Sequence, residues 1–117
     1  MFNFEKLDVW HKCIELADDV YMLTRTFPAD ERFGLTNQLR RAAVSISSNV
    51  AEGCSRRSKA DFRRFIEIAV GSAFEVVSQA RIATRQTFLA PHDHDRIYEA
   101  ALEIVRMLTG LSHSLKD

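Results

Sequence analysis

The stretch LRRAAVSISSNVAEG, residues 39–53, decides how the rest of the chain is read. Leu39, Ala43, Ile46 and Val50 recur at 4-3-4 spacing, the period of a buried helical seam. Ser45, Ser47, Ser48 and Asn49 fall between them, and their short polar side chains compete for backbone hydrogen bonds and disfavour a helix interior. A helix that carries such a block through its middle must recover the lost propensity by close packing or by paired side chains.

Outward from this segment the same period recurs. In a first helix, over about residues 8–26, Leu7, Trp10, Ile14, Ala17, Tyr21 and Thr24 form one stripe, and Val9, Cys13, Leu16, Val20, Leu23 and Phe27 a second beside it. Pro28 blocks its simple continuation. The second helix opens near Leu35 or Thr36 and closes at Gly53, which suits a left-handed C-terminal cap. Ser58 with Asp61 resembles a capping box and starts a third helix that runs to about Phe88, with a seam of Phe62, Ile66, Ala69, Ala73, Val76, Ala80, Ala83 and Thr87. Pro91 lies in the next break, Asp93 or a neighbour caps the fourth helix, and Ile97, Ala101, Ile104, Leu108, Leu111 and Leu115 form its seam. No strand alternation, repeat or low-complexity segment interrupts the pattern. The expected fold is all-α: one domain, an antiparallel up-down-up-down four-helix bundle. The third helix also carries a second stripe, and partly exposed stripes on helices one and three predict a homo-oligomer.

Helices two and three are antiparallel neighbours if the turn between Gly53 and Ser58 is tight. With its centre near Arg56, Ala42 faces Gly71, Ser45 faces Ile68 and Gln38 faces Glu75. The small residues Gly71, Ser72 and Ala73 then let the two backbones approach, which gives a reason for a mid-helix glycine. The same register predicts a polar seam of Arg41, Ser45, Asn49, Glu52, Ser72 and Glu75, with Arg41 near Ser72 and in reach of Glu75. Paired polar groups of this kind select one register and one partner. The competing reading, a catalytic or ligand pocket, has no converging nucleophile–base pair or metal set to support it.

Composition narrows the function classes. The chain has 117 residues, 46% of them apolar, enough for a real core. No apolar run approaches the ~18–20 residues of a membrane span. The first residues mix charge with apolar side chains and lack a signal-peptide core, and Cys13 and Cys54 have no metal or redox spacing, so a cytoplasmic protein with free thiols is expected. The formal net charge of zero hides a concentration of cations: residues 40–64 contain Arg40, Arg41, Arg56, Arg57, Lys59, Arg63 and Arg64 against Glu52 and Asp61. Arg56, Arg57, Lys59, Arg63 and Arg64, helped by Arg40, form a candidate RNA- or DNA-binding cluster. The bland alternative is a solvated helix end in which Arg63 pairs with Glu67. Aromatic interleaving of the kind a single-strand platform needs is missing from the local sequence.

Enzyme signals are weak. His92, Asp93, His94 and Asp95 alternate like metal ligands, but they sit at a helix start, where Asp serves as a cap, and no third ligand group lies nearby. His11 and His113 are isolated, and are read as surface or boundary residues. There is no phosphate-binding glycine loop, and Gly71-Ser72 is mid-helix, the wrong context for a nucleophile elbow. A protein without enzymatic activity, metal or cofactor is expected.

One resemblance is specific. Phe4, Leu7, Val9 and Trp10, then Phe27, Pro28, Glu31, Phe33, Gly34, Leu35, Gln38, Leu39, Arg40, Arg41, Ala42, Ser45, Ile46, Asn49, Val50, Ala51, Glu52 and Gly53, then Phe62, Phe65, Ala69, Gly71, Ser72 and Glu75, follow a known pattern. It is that of the four-helix-bundle family encoded by intervening sequences within bacterial ribosomal RNA genes, with Val50 in place of the usual Ile. The resemblance implies a bundle assembled into a pentamer and no established biochemical activity. A group similar in architecture, the accessory proteins of diversity-generating retroelements, uses a basic barrel to bind nucleic acid and a reverse transcriptase. That group is markedly basic, whereas this chain is neutral. The expected partners are further copies of the chain, then RNA or DNA, then another protein, with no membrane.

Overall fold

A computed structural model of the chain describes residues 1–116. Four helices account for most of them: α1 (Asp8–Thr24), α2 (Leu35–Cys54), α3 (Lys59–Arg85) and α4 (Pro91–Ser114), with short 3-10 turns at Asn3–Lys6 and Ala29–Glu31. Among the described residues there is no strand. Each helix packs on the next in sequence, α1 also packs on α4, and the diagonal pairs make no close backbone approach, so the helices form a closed ring around one core. The body is 46 × 21 × 21 Å, and at ~1.5 Å per residue the 27-residue α3 runs most of its length.

The seams read from the sequence line that core. Leu39, Ala43, Ile46 and Val50 are buried, as are Ile66, Ala69, Ala73, Val76, Ala80 and Ala83 of α3 and Ile97, Ala101, Ile104 and Leu108 of α4. Of the two stripes on α1, the second faces inward through Val9, Cys13, Leu16 and Val20, while Leu7, Trp10 and Ala17 pack partly buried at its margin. The α2–α3 contact is the most extensive in the molecule. Small residues stand on it, with Ser45 against Ser72 and Gly53 against Phe62 and Phe65.

Several boundaries differ from the sequence expectation, each for a local reason. Gly53 does not end α2 in a left-handed cap; no glycine has a positive φ, and the helix continues to Cys54. Gly53 is buried against α3 instead: a Cβ there would stand 2.9 Å from Phe62 Cδ1 and 3.0 Å from Phe65 Cβ. The turn is consequently centred beyond Arg56, and the α2–α3 register is displaced by about one helical turn. Ser45 faces Ser72, not Ile68. Gly71 does not meet Ala42; it is exposed, and a Cβ there would meet no atom within 4 Å.

The start of α3 is as read, with Ser58 Oγ accepting from the Asp61 amide at 3.0 Å. Its end falls at Arg85, not Phe88, because Thr87 turns left-handed at φ 67°. The Phe88 and Thr87 amides donate back to Ala83 and Thr84 carbonyls at 2.9 and 3.0 Å, closing the helix in a Schellman arrangement. Asp93 does not cap α4: Pro91 takes its first turn, where a missing N–H costs nothing, and Ala90 is the N-cap with no side-chain bond. α2 starts at Leu35, whose amide donates to Glu31 Oε1 at 3.1 Å. No helix is long and apolar enough to cross a membrane among the described residues.

Candidate functional site

Two groups of residues singled out in the sequence lie on the α2–α3 pair. The first is the polar seam. Ser45 Oγ and Ser72 Oγ are 2.9 Å apart, and Asn49 Nδ2 donates to both the Ser45 carbonyl and Ser45 Oγ, at 2.8 and 3.0 Å. The three side chains are buried or half-buried and satisfy one another, which explains how α2 tolerates them: their hydrogen bonds are spent on the neighbouring helix and the preceding turn. Glu52 does not join them. It points to solvent and pairs with Arg56 at 3.4 Å, one turn on. Arg41 and Glu75 are exposed and make no ion pair with each other; they line one recess with Gln38, Ala42, Ser45 and Gln79. The displaced register carries Arg41 past Ser72 and sets it beside Glu75 and Gln79 in that recess.

The second group is the basic corner where α2 turns into α3. The structure engages most of its cations within the chain. Arg63 does not pair with Glu67; its guanidinium donates to the Leu115 carbonyl at 2.6 Å and ties α3 to the end of α4. Arg64 pairs with Asp61 at 3.6 Å. The guanidinium carbons of Arg56 and Arg64 lie 4.6 and 5.1 Å from the ring centre of Phe65, so this buried ring is flanked by two cations. Arg57 and Lys59 are exposed beside them. Arg40 stands apart: it lies over the Tyr21 ring at 4.7 Å and donates from Nε to Thr24 Oγ1 at 2.8 Å, joining α2 to α1.

Sequence reasoning missed three features. Phe65 interleaves the basic cluster in space, because Arg56 lies across a turn from it. Asn3 Nδ2 donates to the Cys54 carbonyl at 2.9 Å, so the first 3-10 turn caps the end of α2. An apolar groove of about 320 Å³ opens between α3 and α4, walled by Phe74 and Tyr98 and floored by Ala73, Ala101 and Val105. Phe74 lies off the α3 seam, and that was the available signal.

Among the described residues no set of three His, Cys, Asp or Glu side chains could hold a metal ion. His94 is buried rather than at a helix surface, with Nδ1 3.2 Å from Asp95 Oδ1 and Nε2 unpartnered. His11 is exposed and contacts the Glu5 carbonyl at 2.7 Å. Burial pushes the Cys13 thiol up to about 12 and raises Cys54 as well, so neither is an activated nucleophile.

Residues 5–110 match the family model described as 23S rRNA-intervening sequence protein. The chain belongs to this family. Among solved structures, the chain is similar to a crystal structure from Bacteroides thetaiotaomicron, that of a protein with unknown function from the S23 ribosomal protein family. The two share 23% identity with a TM-score of 0.79, over 89% of this chain and 97% of that one, a likeness that establishes the fold. No curated protein matches the chain.

Proposed function

We propose that this family member is an antiparallel up-down-up-down bundle that acts without catalysis, as a homo-oligomeric scaffold or binding module in the cytoplasm. The antiparallel order is supported by oppositely numbered pairings: Lys12 with Glu103 at 3.3 Å and Asp19 with Arg96 at 2.8 Å between α1 and α4. The observation that carries self-association is the groove between α3 and α4. Phe74 is 65% exposed and Tyr98 42%, an apolar pair side by side on the surface of a small bundle. Covering such surface yields roughly 25 cal/mol per Å². A ring needs one surface to receive a different one on the next copy, and the exposed Phe33, Ile68 and Ile82 offer apolar side chains for that role. A pentamer is the assembly implied by the family resemblance. Native mass spectrometry at micromolar concentration tests this. The expected result is a defined multimer that the paired changes Phe74→Asp and Tyr98→Glu convert to monomer with helix content kept. A native chain that is monomeric throughout overturns it.

A second reading, RNA or DNA binding, is favoured by Arg56 and Arg64, whose guanidinium groups Phe65 holds at the same corner as exposed Arg57. It predicts a salt-sensitive complex that weakens when Arg56 and Arg57 become Glu. The absence of any mobility shift with structured RNA or duplex DNA at low salt removes it.

A further inference from the structure

The basic corner carries an aromatic stack that the order of the sequence hides. Phe2 and Phe4 lie with ring centres 5.8 Å apart and planes 14° from parallel, and the Phe4 ring stands 4.9 Å from that of Trp10. Phe2 is 72% exposed, so the stack ends in solvent. Its rings are held in place from the backbone. The Phe2 amide donates to Glu5 Oε1 at 3.1 Å, the Leu7 amide to the Phe4 carbonyl at 3.0 Å, and Asn3 Nδ2 to the Cys54 carbonyl at 2.9 Å. The last bond moors the turn to the end of α2, two residues before Arg56 and three before Arg57. A partner that covers Phe2 therefore meets a ring already ordered, which lowers the entropy cost of binding.

The charge around the stack is positive where it is unspent. Lys6 is exposed in the same turn, and Arg57 is exposed at the corner. The acids nearby are engaged: Glu5 by the Phe2 amide, Glu52 by Arg56 at 3.4 Å and Asp61 by Arg64 at 3.6 Å. Asp8 sits in the first turn of α1, where the helix dipole favours its charge. A flat ring face beside cations matches a base joined to a phosphate, since every base has a π face and guanidinium groups hold phosphate oxygens. A duplex keeps its bases stacked on one another and presents mainly its backbone, whereas a single strand can lay a base on Phe2.

We propose that Phe2, Phe4 and Trp10 form a stacking platform and that the nucleic acid taken at this corner is single-stranded, with a base on Phe2 and flanking phosphates on Lys6 and Arg57. This rests on the nucleic-acid reading above and narrows it. The probe is a fluorescein-labelled oligothymidylate of about twelve nucleotides, long enough to cross one such site, titrated into the intact protein and followed by anisotropy. It is expected to bind roughly fivefold or more tightly than the same strand paired with oligoadenylate, the least that one stacked base contributes. Phe2→Leu keeps an apolar side chain without a π face and weakens the single strand by a similar factor at every salt concentration, while Phe2→Trp retains binding. Arg57→Glu instead flattens the salt dependence. A strand carrying 5-iododeoxyuridine is expected to cross-link to Phe2 on irradiation. Duplex binding without single-strand binding overturns this inference and leaves the broader reading standing; no binding of either overturns both. Single-strand binding unchanged in Phe2→Leu overturns the platform, and loss of the multimer in Phe2→Leu does so too, because a second copy then covers the ring.

Discussion

Ser45 and Ser72 face each other across the α2–α3 interface with their hydroxyl oxygens 2.9 Å apart, and Asn49 closes the group from one turn away. Ser72 is nearly inaccessible to solvent. A buried bond of this kind is worth about 1 kcal/mol net. Ser72→Ala and Ser45→Ala are each expected to lower unfolding stability by roughly 0.5–1.5 kcal/mol, and the double mutant by less than their sum. Urea denaturation of the four proteins measures the coupling; strict additivity would show that the two hydroxyls do not interact.

Two glycines predict opposite outcomes. Gly53→Ala drives a methyl group against Phe62 and Phe65 and is expected to cost about 1–3 kcal/mol, as overpacking does. Gly71→Ala meets nothing within the chain and is expected to gain roughly 1 kcal/mol from helix propensity. Thermal melts of the two variants give the sign directly. A Gly71→Ala protein that loses its assembly would place a second copy over that face.

Thr87 is a β-branched residue held at φ 67°. The left-handed conformation costs an L-residue about 1–2 kcal/mol, part of which glycine gives back through its freer unfolded chain. Thr87→Gly is therefore expected to raise stability by roughly 0.5–1 kcal/mol. A lower midpoint in urea would show that the threonine side chain contributes more than its backbone costs.

Cys13 links stability to alkaline pH. Its thiol moves from an ordinary 9.0 to about 12 on folding, because burial disfavours the thiolate. The folded state then binds the proton more tightly than the unfolded state. This contribution is intact below pH 9.0 and is lost as pH rises from 9.0 toward 12. Cys13→Ala is expected to be less stable at neutral pH through its lost volume, yet to fall less steeply across that window. A thiol reagent at pH 8 should label the half-buried Cys54 first and reach Cys13 only on unfolding.

The helices were legible in the sequence because their cores are periodic: every member of the Leu39, Ala43, Ile46 and Val50 seam is buried. Register was not, because it depends on where a turn is centred. A glycine at the end of an apolar seam points to a left-handed cap, whereas Gly53 admits Phe62 and Phe65, and that single difference displaces the facing residues by about a turn. Pairwise chemistry inherits the error: the expected register sets Ser45 against Ile68, whereas its partner is Ser72. Contacts across long separations, such as Arg63 with Leu115 and Asn3 with Cys54, leave no local signature. His94 shows the converse limit: its sequence neighbours suggest a helix cap, while the closure of α4 onto the bundle buries it.

Asn3 holds the last carbonyl of α2, and Arg63, near the start of α3, holds the carbonyl of Leu115. Residues near both ends of the described chain are thus anchored to the same corner, at the opposite pole from the turn at Ala29–Glu31. A circular permutant joined through a short linker at that corner, and reopened at Ala29–Glu31, would keep all four helices and every bond of the Ser45–Ser72–Asn49 group. The bundle is therefore one closed circuit of helices, and the order in which the chain visits them is separable from the shape they make.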